Sequence, residues 1–331
     1  MKKGSFTKGV EQLINPIDVG TIHCIQYFNR LMPTALHHKM VSASGKKSPY
    51  MGFVVEPYSF FLCYEIEDLN FAKRFLPKGF SLVKATIFEG DTPKYYGIIG
   101  CFTTHTSAFW GSRVEYYIVA EDGKTGMQSW IICDYDTNTI TYDPKYGLHG
   151  PNTVKTVVTT DYNGVVWVDV ENKKGRKLSF HSDITKGQSV KLSQRLWIEG
   201  NLSIAYGRNR AKENPGLFSV LFDHQEYTSA LRIPLDDLEM EYNNWFPGMC
   251  KAQPAQIICF PYAQHLLSDS PGSSSGLQTP EQMKQAVEML EISRIQPYST
   301  KAYQRAMLLG GLASVVTQWT LLYLLLRKRK T

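Results

Sequence analysis

From residue 59 onward the sequence is a succession of short apolar and aromatic runs, each cut off by a turn signal. No other feature limits the possible folds so strongly. The first run is 59–66 (SFFLCYEI). Others follow at 81–88, 95–104, 114–120, 127–135 and 139–142, then at 153–160, 165–170, 196–206, 217–222 and 256–260. Runs this short, rich in β-branched and aromatic residues and bounded by Gly, Pro, Asn and Asp, read as strands. Up to residue 266, helical pattern is confined to brief stretches at 10–14 and 69–75, the second capped by Asp68 and stopped by Pro77-Lys78-Gly79. With so little helix between strands, a doubly wound sheet is excluded and a mainly β barrel or sandwich is expected. The segment Asp134-Tyr135-Asp136-Thr137-Asn138 opens like a calcium loop, but Thr139 and Lys145 stand where a Gly and a bidentate Glu are needed. It reads instead as a hairpin tip.

The chain has 331 residues, 43% of them hydrophobic and 20% charged, which excludes disorder and allows a large core without disulfide staples. The organisation expected is a lead-in over 1–55, a β body over 56–266 and a Ser/Gly linker over 267–279. A short amphipathic helix over 280–296 follows, started by Thr279, Pro280 and Gln282. Residues 306–326 (AMLLGGLASVVTQWTLLYLLL) carry no charge and precede Arg327-Lys328-Arg329-Lys330. A span near the ~20 residues that cross a bilayer predicts a single-pass C-terminal transmembrane anchor. Residues 4–12 lack the apolar run of a signal peptide, so the expected location is a membrane surface with the body in the cytosol. The net charge of +6 owes four units to that basic tail, and the near-neutral remainder argues against a nucleic-acid partner. Cys24, Cys63, Cys101, Cys133, Cys250 and Cys259 form no C-x-x-C pair and lie mostly in apolar runs, so they read as small buried hydrophobes. The adjacent His37 and His38 point apart on any regular element, and no metal site is expected. No P-loop, dinucleotide fingerprint or G-x-S-x-G is present, so no cofactor is expected either.

A more pointed pattern lies in residues 59–152. A strand ending at Tyr64 leads to a short helix, then Leu76-Pro77-Lys78-Gly79-Phe80, then a run of strands ending at the turn Gly147-Leu148-His149-Gly150-Pro151-Asn152. This order resembles the acetoacetate decarboxylase-like family over about a third of the chain. The resemblance implies a cone-shaped antiparallel β-barrel around an apolar pocket that takes a small keto acid or lipid-like acid. In the decarboxylases a lysine in that pocket forms a Schiff base with the substrate, and its amine must be neutral to attack, chiefly through desolvation. The family carries this lysine in a Pro-Lys-Lys run. Here Lys145 follows Pro144 without a paired neighbour, and Asn152 follows Pro151. The family's arginine ahead of the first strand is also missing, since that stretch reads Glu56-Pro57-Tyr58-Ser59.

The candidate residues follow from this. Lys155 and Lys145 are the lysines nearest the family's lysine region. On a strand, Arg113 and Glu115 share one face with Tyr117 beyond them. That set can clamp a carboxylate and move a proton, or form an ordinary ion pair. His149 is an acid or base near neutral pH, or a packed loop residue. Trp110, Trp130 and Trp167 read as core. Two readings stay open: Schiff-base lyase chemistry (decarboxylation, aldol or dehydration) through Lys155 or Lys145 with Glu115, or a non-catalytic carrier of a small apolar acid bound by Arg113, His149 and Tyr117. A scaffold using the 280–292 helix is a third, and a homo-oligomer is compatible with all of them.

Overall fold

The computed structural model describes residues 4–27, 50–143, 147–210, 216–269, 276–295 and 300–328. His37, His38, Lys145 and residues 270–275 of the expected linker lie outside these. Helices Ser5–Gln12 and Pro16–Tyr27 come first, followed by β1 (Tyr50–Val55), β2 (Ser59–Glu65), the helix Leu69–Lys73, β3 (Phe80–Leu82), β4 (Tyr96–Thr106), β5 (Trp110–Asp122) and β6 (Gln128–Thr137). The chain continues through β7 (Thr141–Asp143), β8 (Gly147–His149), β9 (Thr153–Thr160), β10 (Val165–Asn172), β11 (Lys177–Asp183) and β12 (Gln188–Lys191). Beyond a helical turn lie β13 (Ile204–Tyr206), β14 (Leu217–Phe218), β15 (Val220–Phe222), β16 (Ser229–Arg232), β17 (Leu238–Asn243), β18 (Gln256–Phe260) and β19 (Gln264–Asp269). Helices Pro280–Met289 and Lys301–Lys328 complete the chain described.

Hydrogen bonds join 13 strands into a main sheet whose spine runs β12-β16-β18-β2-β4-β5-β6-β13-β14. β1 joins the same edge of β4 as β2, farther along it, and continues through β19 to β15. Between β14 and β15 stands Ser219 alone, so the two arms of this circuit meet through the covalent chain, not through a ladder. The protein is mainly β, but the expected closed cone-shaped barrel is corrected: among the described residues the hydrogen-bonded order does not return on itself. A smaller antiparallel sheet has the order β17-β11-β10-β9, and β7 pairs β8.

Both faces of the main sheet are covered, so β4, β5 and β6 are buried along most of their length without alternation, polar residues included. Against one face, called the first here, pack Phe6, Val10 and Leu13 of the N-terminal helix with Leu196, Trp197, Leu202, Met283 and Val287. Against the second face pack Val166, Val168, Val170, Leu178 and Phe180 of the smaller sheet. Burial of these side chains stabilises the fold by roughly 1.5–3 kcal/mol for each large one.

Two strand expectations fail for identifiable reasons. Residues 195–202 form a widened turn and a short helix before β13, not a strand. Gly200 allows this, because a Cβ there would lie 2.4 Å from the indole nitrogen of Trp130. In 81–88 the strand ends at Leu82, and Ala85 and Phe88 make only isolated bridges, to Lys94 and Leu192.

The expected transmembrane anchor over 306–326, and with it the expected membrane location, is also corrected. No helix among the described residues is long and apolar enough to cross a membrane. Ser314, Thr317, Gln318 and Thr320 interrupt the apolar run of the last helix, and Thr317 and Thr320 turn their hydroxyls onto the carbonyls of Ala313 and Val316. The start of that helix is held by Asp18, whose buried carboxylate accepts from the backbone N–H and hydroxyl of Thr300.

Candidate functional site

Arg113, Glu115 and Tyr117 lie at alternate positions of β5 and point to the first face, as a pleated strand requires. Arg113 and Glu115 are buried and Tyr117 is partly buried. The Arg113 and Glu115 side chains retain 8% and 9% of their exposure, which is very low for an ionic pair. Arg113 donates from Nε and Nη2 to Oε1 of Glu115 at 2.7 and 2.6 Å, and the Tyr117 hydroxyl donates to Oε2. Both carboxylate oxygens are thus engaged. The Nη1 group of Arg113 has no assigned partner among the described residues.

The neighbours of the triad are set by strand register. Phe102 and Gly100 of β4 sit opposite Arg113 and Glu115, and Thr137 and Tyr135 of β6 flank them on the other side. Gly100 matters because a Cβ there would lie 2.8 Å from the Phe61 ring and 3.2 Å from that of Tyr117. A β-bulge at Cys133 is needed to bring Tyr135 beside Glu115. The result is an aromatic shell: the Arg113 guanidinium lies 4.6 Å from the Tyr135 centroid and 5.8 Å from that of Phe109, and Tyr117 meets Trp130 edge-on at 5.7 Å.

Burial alone would pull the Arg113 pKa down, but Glu115, with Tyr206 and Tyr135, outweighs it and the guanidinium ends above its ordinary value. Desolvation, reinforced by Glu115, pushes the Tyr117 hydroxyl well above its ordinary range. Tyr117 therefore stays a donor and Arg113 stays a cation whose charge is offset by Glu115, the pair lying in an apolar surround.

The lysines are placed differently. Lys155 stands on β9, an edge strand of the smaller sheet, with 51% of its side chain exposed and its ammonium on Asp169. The Asp169 hydrogen bond raises its pKa. A Schiff-base amine needs burial and a lowered value; Lys155 in this position has neither, and it is not brought to the triad. Lys145 lies outside the described residues. His149 ends β8, and its side chain is not among those described. Trp130 is buried in the core, Trp110 is half-buried against His105, and Trp167 is 40% exposed, against the reading of the last two as core. Cys63, Cys101, Cys133 and Cys259 are buried, as expected, and desolvation raises each thiol, Cys259 to about 12.

Sequence reasoning missed a second polar cluster behind β6. Asp134 and Asp136 extend the strand, where a hairpin tip was expected. Arg176 reaches both carboxylates, Arg210 donates from Nε to Asp134 at 3.0 Å, and Asn172 donates to Asp136 at 3.0 Å. Desolvation raises the Asp134 pKa, yet the two arginines outweigh it and hold the carboxyl below its usual range. The alternating acids in Asp-Tyr-Asp were the available signal, but their basic partners lie about 40 and 76 residues away in sequence.

No protein-family model matches the chain, and no curated protein matches it in sequence. Among solved structures it is similar to acetoacetate decarboxylase from Legionella pneumophila, at 9% identity over 70% of this chain and 89% of that one, with a TM-score of 0.43. It is similar to another acetoacetate decarboxylase at 11% identity over 66% and 87%, with a TM-score of 0.33. An acetoacetate decarboxylase-like enzyme from Sphingomonas wittichii matches at 10% identity over 70% and 94%, also with a TM-score of 0.33. The likeness to these structures is weak.

Proposed function

We propose that the protein binds a small, largely apolar carboxylic or keto acid at the first face of the main sheet, with Arg113 as its anion-binding group and without a Schiff base on Lys155. The observation that carries this reading is a buried, permanently charged guanidinium with an unassigned Nη1 group, set among Phe102, Phe109 and Tyr135. A carboxylate or carbonyl oxygen is the natural acceptor for those N–H groups, and the rings suit a short apolar body. The Glu115 charge already offsets that of Arg113, so an incoming acid would meet the guanidinium N–H groups as hydrogen-bond donors, not a net positive charge. The exposure of Lys155 and its raised pKa favour the carrier reading over lyase chemistry at that residue.

Titration calorimetry with hexanoate and with acetoacetate tests the proposal, alongside borohydride trapping and mass mapping. Wild-type protein should bind at least one probe, Arg113→Lys should bind it at least tenfold more weakly, and no lysine should be trapped. An acetoacetate adduct on any lysine, Lys145 included, would replace the carrier reading with the Schiff-base one. Failure of both probes to bind would remove the acid-binding reading itself.

A further inference from the structure

Thr104 of β4 carries a hydroxyl that is fully buried and has no hydrogen-bond partner among the described residues. Its direction follows from its neighbours. Cys101 packs into the core on the second face and Phe102 into that on the first. The alternation continues with Thr103, which donates to the Val158 carbonyl of the smaller sheet at 3.4 Å, so Thr104 points to the first face. Register places it near the guanidinium, because Phe102 stands opposite Arg113 and Thr104 opposite Gly111. Thr104 and Arg113 are therefore diagonal neighbours, about 7–8 Å apart along the sheet. On its other side Thr104 faces Val55 of β1. Neither Val55 nor Gly111 has a side chain that can bond a hydroxyl. The buried hydroxyls of Ser59, Thr106 and Thr137, in the same part of the sheet, donate to Gln264, to the Phe109 carbonyl and to the Ser112 carbonyl. A buried hydroxyl left unpaired costs stability, a cost that functional sites carry.

We propose that Thr104 is a specificity-determining residue that bonds a second oxygen of the bound acid, and that the ligand is a 3-hydroxy acid. This deepens the acid-binding proposal and rests on it. With the ligand carboxylate on Nη1 of Arg113, a hydroxyl on carbon 3 lies between the guanidinium and Thr104. There it can donate to Oγ1 of Thr104 while accepting from Arg113, which a carbonyl, having no proton to give, cannot do. The alkyl chain lies against Phe102, whose ring is stacked on Phe61 at 6.5 Å between centroids. Carboxylate, hydroxyl and chain thus meet three groups fixed on one face of β4 and β5, and three fixed contacts separate mirror images. A site built to bond a hydroxyl also rejects the analogue that lacks it, because its own polar group is then left unpaired.

The test is titration calorimetry of the full chain with hexanoate and with each enantiomer of 3-hydroxyhexanoate. Wild type should bind one enantiomer roughly fivefold or more tighter than hexanoate and than its mirror image. Thr104→Val should bring that enantiomer down to the level of hexanoate and leave hexanoate itself unchanged. Thr104→Ser, which keeps the hydroxyl, should retain the preference. The thermal midpoint of unliganded Thr104→Val should equal or exceed that of wild type, because an unpaired buried hydroxyl has been removed. A merely structural threonine gives the opposite pattern, a lowered midpoint with no change in selectivity, and that result overturns the inference. Hexanoate binding without any preference for a hydroxy acid, or a preference that survives Thr104→Val, overturns it too and leaves the acid-binding proposal standing. Binding of none of the three acids removes both.

Discussion

Arg113–Glu115 and Lys155–Asp169 are both ion pairs on β-strands, and their local sequences resemble each other: a charged residue among alternating apolar and polar neighbours. Their surroundings differ in every respect that matters. The first pair lies on a central strand covered on both sides, with side chains 8% and 9% exposed. The second lies on an edge strand and its neighbour, with side chains 51% and 28% exposed. Alternation tells which residues share a face, but only the layers above and below decide whether that face is dry. A dry pair can pre-organise a site; a wet one is screened by solvent.

The largest expected effect breaks the buried pair from one side. Arg113→Leu or Glu115→Leu leaves an uncompensated charge in the interior, and each should destabilise the fold by about 3–5 kcal/mol. Replacing both with Leu should recover most of that loss, because two charges that cost desolvation are removed together. Urea unfolding of the two single variants and the double variant reads this directly. Single variants that unfold at the wild-type midpoint would mean the pair is wetter than its burial implies, and the contrast with Lys155 would collapse.

How much of this was legible in advance divides along the same line. The strands at 59–66, 95–104, 114–120 and 127–135 could be read because their patterns are local. The shared face of Arg113, Glu115 and Tyr117 could be read for the same reason. Partners brought from afar could not. The bulge that turns Tyr135 toward Glu115, the arginines that hold Asp134, and the closeness of Gly200 to Trp130 all depend on contacts between distant segments. The run at 196–206 looked like a strand because Leu196, Trp197 and Ile198 are apolar, and it became a turn because Trp130 takes the space beside Gly200. Lys155 could not be placed in advance because a lysine within a β run has two faces available, and sequence does not say which sheet the strand joins.

A third cluster falls between the extremes and sharpens the comparison through pH. His265 is nearly buried, with Nδ1 3.2 Å from Glu226 and Nε2 3.1 Å from Glu11 of the N-terminal helix. Its backbone N–H also donates to Glu226 at 2.7 Å. Burial lowers the imidazole pKa, but Glu226 and then Glu11 outweigh it, and the value ends above the ordinary 6.5. A raised folded-state pKa means that the stabilisation is fully present below 6.5 and is lost as pH rises through the higher folded value. Relative to His265→Gln, wild type should therefore hold its largest thermal advantage at mildly acid pH and lose it on the alkaline side. Melting curves from pH 5.5 to 9 decide the point. An advantage that grows with pH would mean the imidazole is held neutral, and that the N-terminal helix is fixed by Phe6 and Val10 alone.

The smallest effect is expected at Lys155, and it is informative because it is small. Asp169 stabilises the protonated ammonium, so the amine should become nucleophilic only at higher pH than an ordinary surface lysine. Lys155→Ala should leave the unfolding midpoint and hexanoate binding where they are, since an exposed, screened pair holds little of the fold. Removing the acid instead, by Asp169→Asn, should bring the pH midpoint of Lys155 labelling down toward that of a free lysine. Acetylation followed by peptide mass mapping across pH 7 to 11 measures both. A Lys155 that labels rapidly near neutral pH in wild type would carry a lowered pKa, the mark of a desolvated amine. It would then belong with the dry residues of β5, not with the wet edge of the smaller sheet.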